Sequence, residues 1–404
     1  MYSSERGALA FQNPIREWNR DFRLLAAGMF SLGVYFGVRH TLFNNFIVER
    51  LGVEAHQLGL IESLREFPGF LNVIFIALII RWSPPIVAAA SLVVMGVAIA
   101  AYSEIHTVFQ LGVFAVFGSL GFHSWLPMQQ ALGLAYSPPG DKGKWLGQLR
   151  SVSSASTLAM IGVCLLTFHF LQYEGLFLVA GAAVILGGLA ISVASKPETQ
   201  ADQKSFVFRR RYWVYYALNV LQGVRRQMFI TFAIFALVKV HGMPIETTMV
   251  LVLINQVLIT VTSPSVGKLV DRLGERLMLS LSYVGLTLVF TGYAVIQDRP
   301  TLYVLFCLDN LIFFGPIAMT TYLHKITPPE ELRPTLSMGV TMNHVAAVIG
   351  PFVGGLAWKA FGYEVIFFSG AAISALSLVM SQWVDPEGLL AREEEAAQSK
   401  EERA

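Results

Sequence analysis

Apolar stretches long enough to cross a lipid bilayer recur along the whole chain. About 20 apolar residues span a hydrocarbon core that is ~30 Å thick. Such stretches lie near residues 24–48, 57–80, 85–103, 107–135, 145–170, 174–195, 212–238, 245–266, 277–297, 301–325, 335–358 and 363–384. The core of a water-soluble protein could not bury this much apolar surface. We therefore predict an all-α integral membrane protein with twelve transmembrane helices.

The composition supports the membrane prediction and excludes several other classes. Apolar residues make up 54% of the chain and charged residues 14%, against roughly 45–50% and 25% in soluble domains. A net charge of +2 gives no basic surface for nucleic acid. Cys164 and Cys307 both lie in apolar stretches, and no zinc-ligand spacing occurs. We predict no disulfide, no metal ion and no cofactor.

The chain divides into two similar halves. We predict a cytoplasmic leader over residues 1–22, a six-helix bundle over 23–195, a cytoplasmic linker over 196–211, a second six-helix bundle over 212–384 and a charged cytoplasmic tail over 385–404. RHTLFNNF, which starts at Arg39, resembles RRQMFITF, which starts at Arg225. The Ser-Pro-Pro after segment four and the Thr-Pro-Pro after segment ten also correspond. These matches indicate a duplicated unit with pseudo-twofold symmetry.

Basic residues set the expected orientation, because loops rich in Lys and Arg stay in the cytoplasm. If both termini are cytoplasmic, the inside segments hold 20 basic residues and the outside loops hold 4. The asymmetry predicts an even number of spans with both termini inside. We expect a multi-pass protein of the cytoplasmic (inner) membrane.

One loop carries a recognisable motif. After segment eight the chain reads GKLVDRLGER, which resembles the G-x-x-x-D-R-x-G-R-R/K signature of the major facilitator superfamily, a group of twelve-helix secondary transporters. The resemblance implies a gating role for the residues that match, namely Gly267, Asp271, Arg272, Gly274 and Arg276.

The sequence departs from that signature in two places. Glu275 replaces a basic residue, and the equivalent loop after segment two, residues 80–85, lacks the aspartate and the glycines. The resemblance nevertheless extends over the chain in span number, orientation and repeat. It implies a monomeric carrier of small molecules, not an enzyme.

Charged residues inside the predicted spans suggest the kind of substrate. Each central arginine costs roughly 2.5–3.5 kcal/mol on insertion scales. The arginines outside all loops are Arg39, Arg65, Arg150, Arg225 and Arg226, and the acids at similar depth are Glu62, Glu66 and Asp309. The excess of two positive charges predicts an electropositive cavity and an anionic substrate.

Arg39 and Arg225 occupy matching places in the two halves. They lie about 22 Å and about 20 Å from the starts of segments one and seven. Two guanidinium groups facing across a cavity can bind one oxyanion bidentately, and the pair resembles the arginines on helices one and seven of the organophosphate carriers. Alternatively, both arginines pair with the intramembrane acids and only hold the two lobes together. Arg226 cannot share a helix face with Arg225, so one of these neighbours should make a structural bond.

Further polar and aromatic side chains complete the predicted cavity. We expect substrate contacts from Asn44, Phe43, Phe229 and Asn343. Asn45 is a further possible lining residue, although asparagines also bond between helices. His123 in segment four is better explained as a hydrogen-bonded core histidine than as a proton sensor.

Proton coupling would require carboxylates or histidines that change charge. Glu62, Arg65 and Glu66 are spaced to share one helix face. A carboxylate beside arginine stays charged, whereas one freed from it in a buried site becomes protonated. We nominate Glu62, Glu66, Asp309 and His344 as proton carriers. A permanent ion pair is the alternative.

The favoured function is a secondary transporter that works by alternating access and moves a small organic anion, with protons as the coupled ion. One alternative is proton-coupled efflux of an amphipathic or cationic compound. Another is a membrane sensor on a carrier scaffold that does not transport. Motifs of ATP-driven pumps and zinc hydrolases are absent from the sequence.

Overall fold

A computed structural model describes residues 17–79, 82–138, 140–197 and 208–385. These residues are almost entirely helical and contain no strand. The first half holds α1 (Arg20–Glu49), α2 (Ala55–Ile79), α3 (Pro84–Ala100), α4 (Val108–Tyr136) and α5 (Lys142–Ser192). The second half holds α6 (Trp213–Lys239), α7 (Ile245–Leu273), α8 (Glu275–Val295), α9 (Arg299–Leu311), α10 (Gly315–Ile326), α11 (Pro329–Phe361) and α12 (Glu364–Ser381).

The predicted leader, linker and tail lie mostly outside the described residues. Only residues 17–22 of the leader, 196–197 and 208–211 of the linker and Asp385 of the tail are described. Ten of the described helical stretches are long and apolar enough to cross a membrane. An all-helical protein with many membrane-length helices is therefore confirmed.

Two helices differ from simple spans. The 51-residue α5 contains a break at Gln172, where φ is 52° and ψ is −165°, so predicted segments five and six meet with almost no loop. Segment ten, predicted as one helix over 301–325, is instead split into α9 and α10. Pro316 explains that split, because it has no N–H to donate to the carbonyl of Ile312. The hydroxyl of Ser282 donates to that carbonyl at 2.7 Å.

The two halves meet at one end of the bundle, which we call the joined end. It comprises the α1–α2 loop, residues 50–54, and the α6–α7 loop, residues 240–244. One apolar cluster there includes Phe46 and Ile47 from the first half and Phe235 and Met249 from the second. The side chain of Asn45 also donates to the carbonyl of Met243 at 3.0 Å and accepts from the hydroxyl of Thr248 at 2.7 Å.

At the opposite end, which we call the separated end, each half has its own apolar cluster. Trp18, Tyr136 and Trp145 belong to the cluster of the first half, and Tyr212 and Tyr322 belong to that of the second. The ion pairs at this end also stay within a single half. Lys144 pairs with Glu17 in the first half, and Arg211 with Glu331 and Lys325 with Glu275 in the second. The described contacts between the halves are concentrated toward the joined end.

Helices α2 and α11 form the longest described contact between the halves. A Cβ atom at Gly355 would lie 2.7 Å from the carbonyl oxygen of Ala55, and one at Gly59 would collide with the carbonyl of Pro351. The helix backbones therefore touch directly. The hydroxyl of Ser63 then donates to the carbonyl of Val348, farther from the joined end.

Candidate functional site

One cluster of charged side chains lies inside the first half. Arg39 on α1 donates to Glu62 on α2 at 2.9 Å. Arg65 donates to Glu62 at 2.7 Å and to Glu66 at 2.6 Å. The predicted shared face of Glu62, Arg65 and Glu66 is thereby confirmed. Two arginines and two glutamates leave this cluster with no net formal charge.

Glu66 also reaches the second half. Its Oε2 atom lies 3.4 Å from Nδ1 of His344 on α11 and 3.9 Å from Nε2 of His123 on α4. The two imidazole rings are 5.3 Å apart between centroids. Glu66 and His123 are buried, whereas the His344 side chain is 26% exposed. This group crosses the boundary between the halves.

The hydrogen bonds of Ser119 determine which nitrogen of His123 is free. Nδ1 of His123 lies 3.0 Å from the carbonyl oxygen of Ser119, which can only accept. The hydroxyl of Ser119 donates to the carbonyl of Arg65. We infer that Nδ1 carries the proton, so that Nε2 presents a lone pair toward Glu66.

The second charged cluster lies inside the second half. Arg225 on α6 is 1% exposed and donates from Nη1 to Asp309 on α9 at 2.7 Å. Phe313, in the break between α9 and α10, lies 4.7 Å from the Arg225 guanidinium and 4.6 Å from that of Arg226. Arg226 itself is exposed. Two arginines and one aspartate leave this cluster with a formal charge of +1.

Part of the Arg225 guanidinium has no partner. Its Nε and Nη2 atoms are buried and make no hydrogen bond with any described residue. Buried donors are nearly always satisfied in proteins, by protein, water or ligand. An arriving anion could satisfy both atoms. An anion bound there would also place its negative charge beside Arg226.

The structure differs from the expectation that Arg39 and Arg225 face each other across an open space. Each is bonded to an acid of its own half, as the alternative proposed, but neither pair crosses between the halves and so neither ties them together. Of the two adjacent arginines, Arg225 makes the structural bond. The crevice beside Arg39 has room for about one water molecule.

The remaining predicted cavity residues fall into two groups. Phe43 and Phe229 are buried in apolar clusters, so packing is the main role of both rings. Phe43 also lies 4.3 Å below the Arg39 guanidinium. Asn343 is exposed on α11, beside Gly223 of α6, and Asn44 is half-buried.

The predicted gating residues lie between α7 and α8. Gly274 ends α7 with φ at 77°, a conformation that favours glycine. Arg272 and Arg276 are exposed, Gly267 lies within α7, and the side chain of Asp271 lies outside what the structure describes. Glu275, where the signature is basic, is buried and accepts a hydrogen bond from Lys325 at the end of α10.

Outside the spans, the acidic residue Glu331 links two helices at the separated end of the second half. Glu331 accepts hydrogen bonds from Arg211 at 2.7 Å and from the hydroxyl of Tyr212 at 2.9 Å. These two bonds lower the pKa of the Glu331 carboxyl. The carboxylate therefore remains charged at physiological pH and links the starts of α6 and α11.

Several contacts near these clusters were not predicted from the sequence. Ser119 and Thr248 form their hydrogen bonds with residues on other helices, Arg65 and Asn45. Asn45, expected as possible cavity lining, is fully buried and bonds across the joined end. A polar residue within an apolar span was the only available signal for Ser119, Asn45 and Thr248.

Known proteins supply a family and a fold. The family model of the Major Facilitator Superfamily matches residues 24–316 and 216–403. No curated protein matches the chain. The solved nucleoside transporter NupG has a TM-score of 0.74 at 14% identity, over 90% of this chain and 98% of that one. A bacterial homologue of the human lysosomal transporter Spinster, in an inward-facing and unoccupied conformation, has a TM-score of 0.72 at 13% identity, over 92% and 98%.

Proposed function

The chain belongs to the major facilitator superfamily, and from that premise we propose that it is a secondary transporter that moves a small organic anion together with protons by alternating access. The family and the fold make it a multi-pass membrane transporter rather than an enzyme. The class of substrate, the coupling to protons and the assignment to a particular membrane are our proposals. We assign it to the cytoplasmic (inner) membrane as a monomer.

The proposed topology has twelve crossings in two six-helix bundles over residues 23–195 and 212–384, joined by the linker 196–211. Ten candidate spans are described. The 25-residue α2 supplies another, and α5 supplies two in place of one, because 51 residues would extend for about 77 Å. The leader and the charged tail then lie in the cytoplasm, as the basic residues favour.

With both termini cytoplasmic, the separated end faces the cytoplasm. The contacts of Asn45 with Met243 and Thr248 then close the outer side. This is an inward-facing arrangement, in which substrate enters or leaves from the cytoplasm. The turn at Gly274, with Asp271, Arg272 and Arg276, lies at the cytoplasmic ends of α7 and α8. There it would guide the movement of the two halves during alternating access.

The anion site is proposed at Arg225 and Arg226. The two unsatisfied nitrogens of Arg225 carry this assignment. Arg226 is exposed and adds a second guanidinium beside the same Phe313 ring. A carboxylate or phosphate can accept from both side chains, and bidentate contacts of this kind are the strong ones. Asn343, exposed next to Gly223, would contact the rest of the substrate.

Asp309 is proposed as the proton carrier. It is buried and neutralises one of two adjacent arginines. Protonation would release the whole Arg225 guanidinium to the anion, so that proton and anion enter together. Glu62 is less suited, because two arginines bond to it at once. Each of the three acids contacts an arginine, which favours an anionic over a cationic substrate.

Thermal stabilisation by anions tests the site. Purified protein is screened with carboxylates, phosphate esters and organic cations. We expect only anions to raise the melting temperature, and Arg226→Ala to abolish the rise. Arg23→Ala, an exposed arginine in the first turn of α1, is the matched control and should leave the rise unchanged. Equal stabilisation of both variants would remove the assignment.

Flux and coupling are tested in proteoliposomes. The anion that stabilises the protein should exchange across the membrane, and external acidification should raise uptake in the native protein but not in Asp309→Asn. Binding without exchange would instead favour the sensor alternative. Uptake that ignores external pH would eliminate proton coupling while leaving the anion site intact.

A further inference from the structure

Glu66, His123 and His344 form a compact group that the proposed anion and proton steps do not use. One atom from each, Oε2 of Glu66, Nε2 of His123 and Nδ1 of His344, lies within 4.8 Å of the other two. Arg65 occupies Oε1 of Glu66, which leaves Oε2 free to face the imidazoles. The bond to Ser119 leaves Nε2 of His123 as a lone pair. The carboxylate oxygen and this lone pair can both bind a cation placed between them.

Helix α2 packs closely against the ring of His123 at Gly69. Gly69 lies one turn after Glu66 on α2, and a Cβ atom there would be 2.5 Å from Nε2 of His123. Any other residue at this position would therefore push the His123 ring out of its present place. The partly exposed His344 side chain provides a route by which an ion could enter.

We propose that Glu66, His123 and His344 bind a divalent transition metal ion, best matched by Zn²⁺, that bridges the two halves of the protein. Two imidazoles and one carboxylate are a donor set that Zn²⁺ accepts, with a water in the fourth position. Bonds of about 2.0–2.1 Å in tetrahedral geometry put ligand atoms about 3.3 Å apart. The separations from Oε2, 3.4 Å and 3.9 Å, need only small side-chain movements.

The surroundings resemble those of other metal-bound histidines. A metal-ligating histidine usually donates its second ring nitrogen to a carbonyl or carboxylate, and His123 donates to the carbonyl of Ser119. Glu62 and Glu66 balance the charges of Arg39 and Arg65, so this cluster has no net negative charge that would attract a cation. The bonds from the three ligands to the ion would therefore supply the affinity for the metal. Because His344 lies on α11 and the other ligands on α2 and α4, the ion would hold the halves in the present arrangement.

Metal binding is tested on the full chain in detergent, after removal of the purification tag and treatment with a chelator. Zn²⁺ or Co²⁺ is added, and the melting temperature and the absorption of bound Co²⁺ are recorded. We expect Zn²⁺ to raise the melting temperature and Co²⁺ to show the intense bands of a four-coordinate site. In His123→Ala and His344→Ala the affinity should fall at least tenfold. His324→Ala, an exposed histidine at the end of α10, is the control.

Gly69→Ala separates loss of the site from loss of folding. It keeps all three ligands and adds a methyl group that displaces the His123 ring, so metal affinity should fall about 10- to 100-fold, as for other disturbed ligand geometry. Its metal-free melting temperature shows whether the fold is intact. No response of the native protein to either metal, or an affinity in both histidine variants equal to that of the native protein, would overturn the proposal. Because binding is measured without transport, failure of the anion function would not affect this result.

Discussion

Adjacent arginines on one helix point in directions about 100° apart, and α6 uses this to give Arg225 and Arg226 different surroundings. Arg225 points into the second half, where Asp309 and the rings of Phe290 and Phe313 enclose it. Arg226 stays exposed and shares only the Phe313 ring. One position is thus preorganised by an ion pair, while its neighbour keeps a free charge for a ligand.

The energetic importance of the buried pair can be measured at Asp309. Asp309→Asn leaves Arg225 as an unpaired buried charge, which typically costs about 3–5 kcal/mol. We expect a large fall in unfolding free energy, measured by denaturation in detergent. Glu174→Gln removes the partner of Arg50 in a half-exposed pair with a distance of 3.4 Å. That control should change stability by about 0–1 kcal/mol. Similar losses in both variants would mean that burial does not decide the cost.

At the scale of helices, local spacing was predictable and partners on other helices were not. The i,i+3 and i,i+4 rule placed Glu62, Arg65 and Glu66 together because all three lie on α2. The same rule separated Arg225 from Arg226. It could not show that Asp309 bonds to Arg225, because that contact depends on how α6 packs against α9.

The internal repeat carries more information about the site than any single motif. The offset that aligns Arg39 with Arg225 also aligns His123 with Asp309. In the second half these matched positions bond to each other directly. In the first half α2 intervenes, since Glu62 bonds to Arg39 and Glu66 faces His123. The duplication therefore predicted where polar groups lie but not how they pair.

The glycine contact between α2 and α11 should determine whether the joined end stays closed. Gly59→Val would push against the carbonyl of Pro351 and force the helices apart. A cysteine at Met249, a buried residue of the joined-end cluster, reports the opening through labelling by a membrane-impermeant thiol reagent. Cys164 and Cys307 are first replaced by alanine. We expect labelling to increase severalfold in Gly59→Val.

A matched substitution distinguishes the contact from general damage. Gly143 lies in the first turn of α5 with open space where a Cβ would be, so Gly143→Val should leave the labelling of Met249→Cys unchanged. Unchanged labelling in Gly59→Val, with an intact melting temperature, would show that the α2–α11 contact does not control closure.

For the whole molecule, the arrangement of clusters describes how two rigid halves could move. Each half keeps its own apolar core at the separated end, while the joined end includes a core made from both. Rocking the halves would break the joined-end contacts and leave the two internal ion pairs unchanged, because the Arg39–Glu62 pair lies within the first half and the Arg225–Asp309 pair within the second. Alternating access of this kind requires the bonds of Asn45 to be reversible.

Cross-linking the joined end tests that requirement. Asn45 and Thr248 approach to 2.7 Å between side-chain oxygens, so Asn45→Cys with Thr248→Cys should form a disulfide on oxidation. The bond would hold the outer side closed, and transport should stop until a reductant restores it. The control pair is Ser280→Cys with Ser381→Cys, whose oxygens lie 3.4 Å apart on α8 and α12 of the same half. That disulfide should leave transport intact, because it restricts no movement between the halves. If the Asn45–Thr248 cross-link forms and transport continues, the halves do not separate at this end during the cycle.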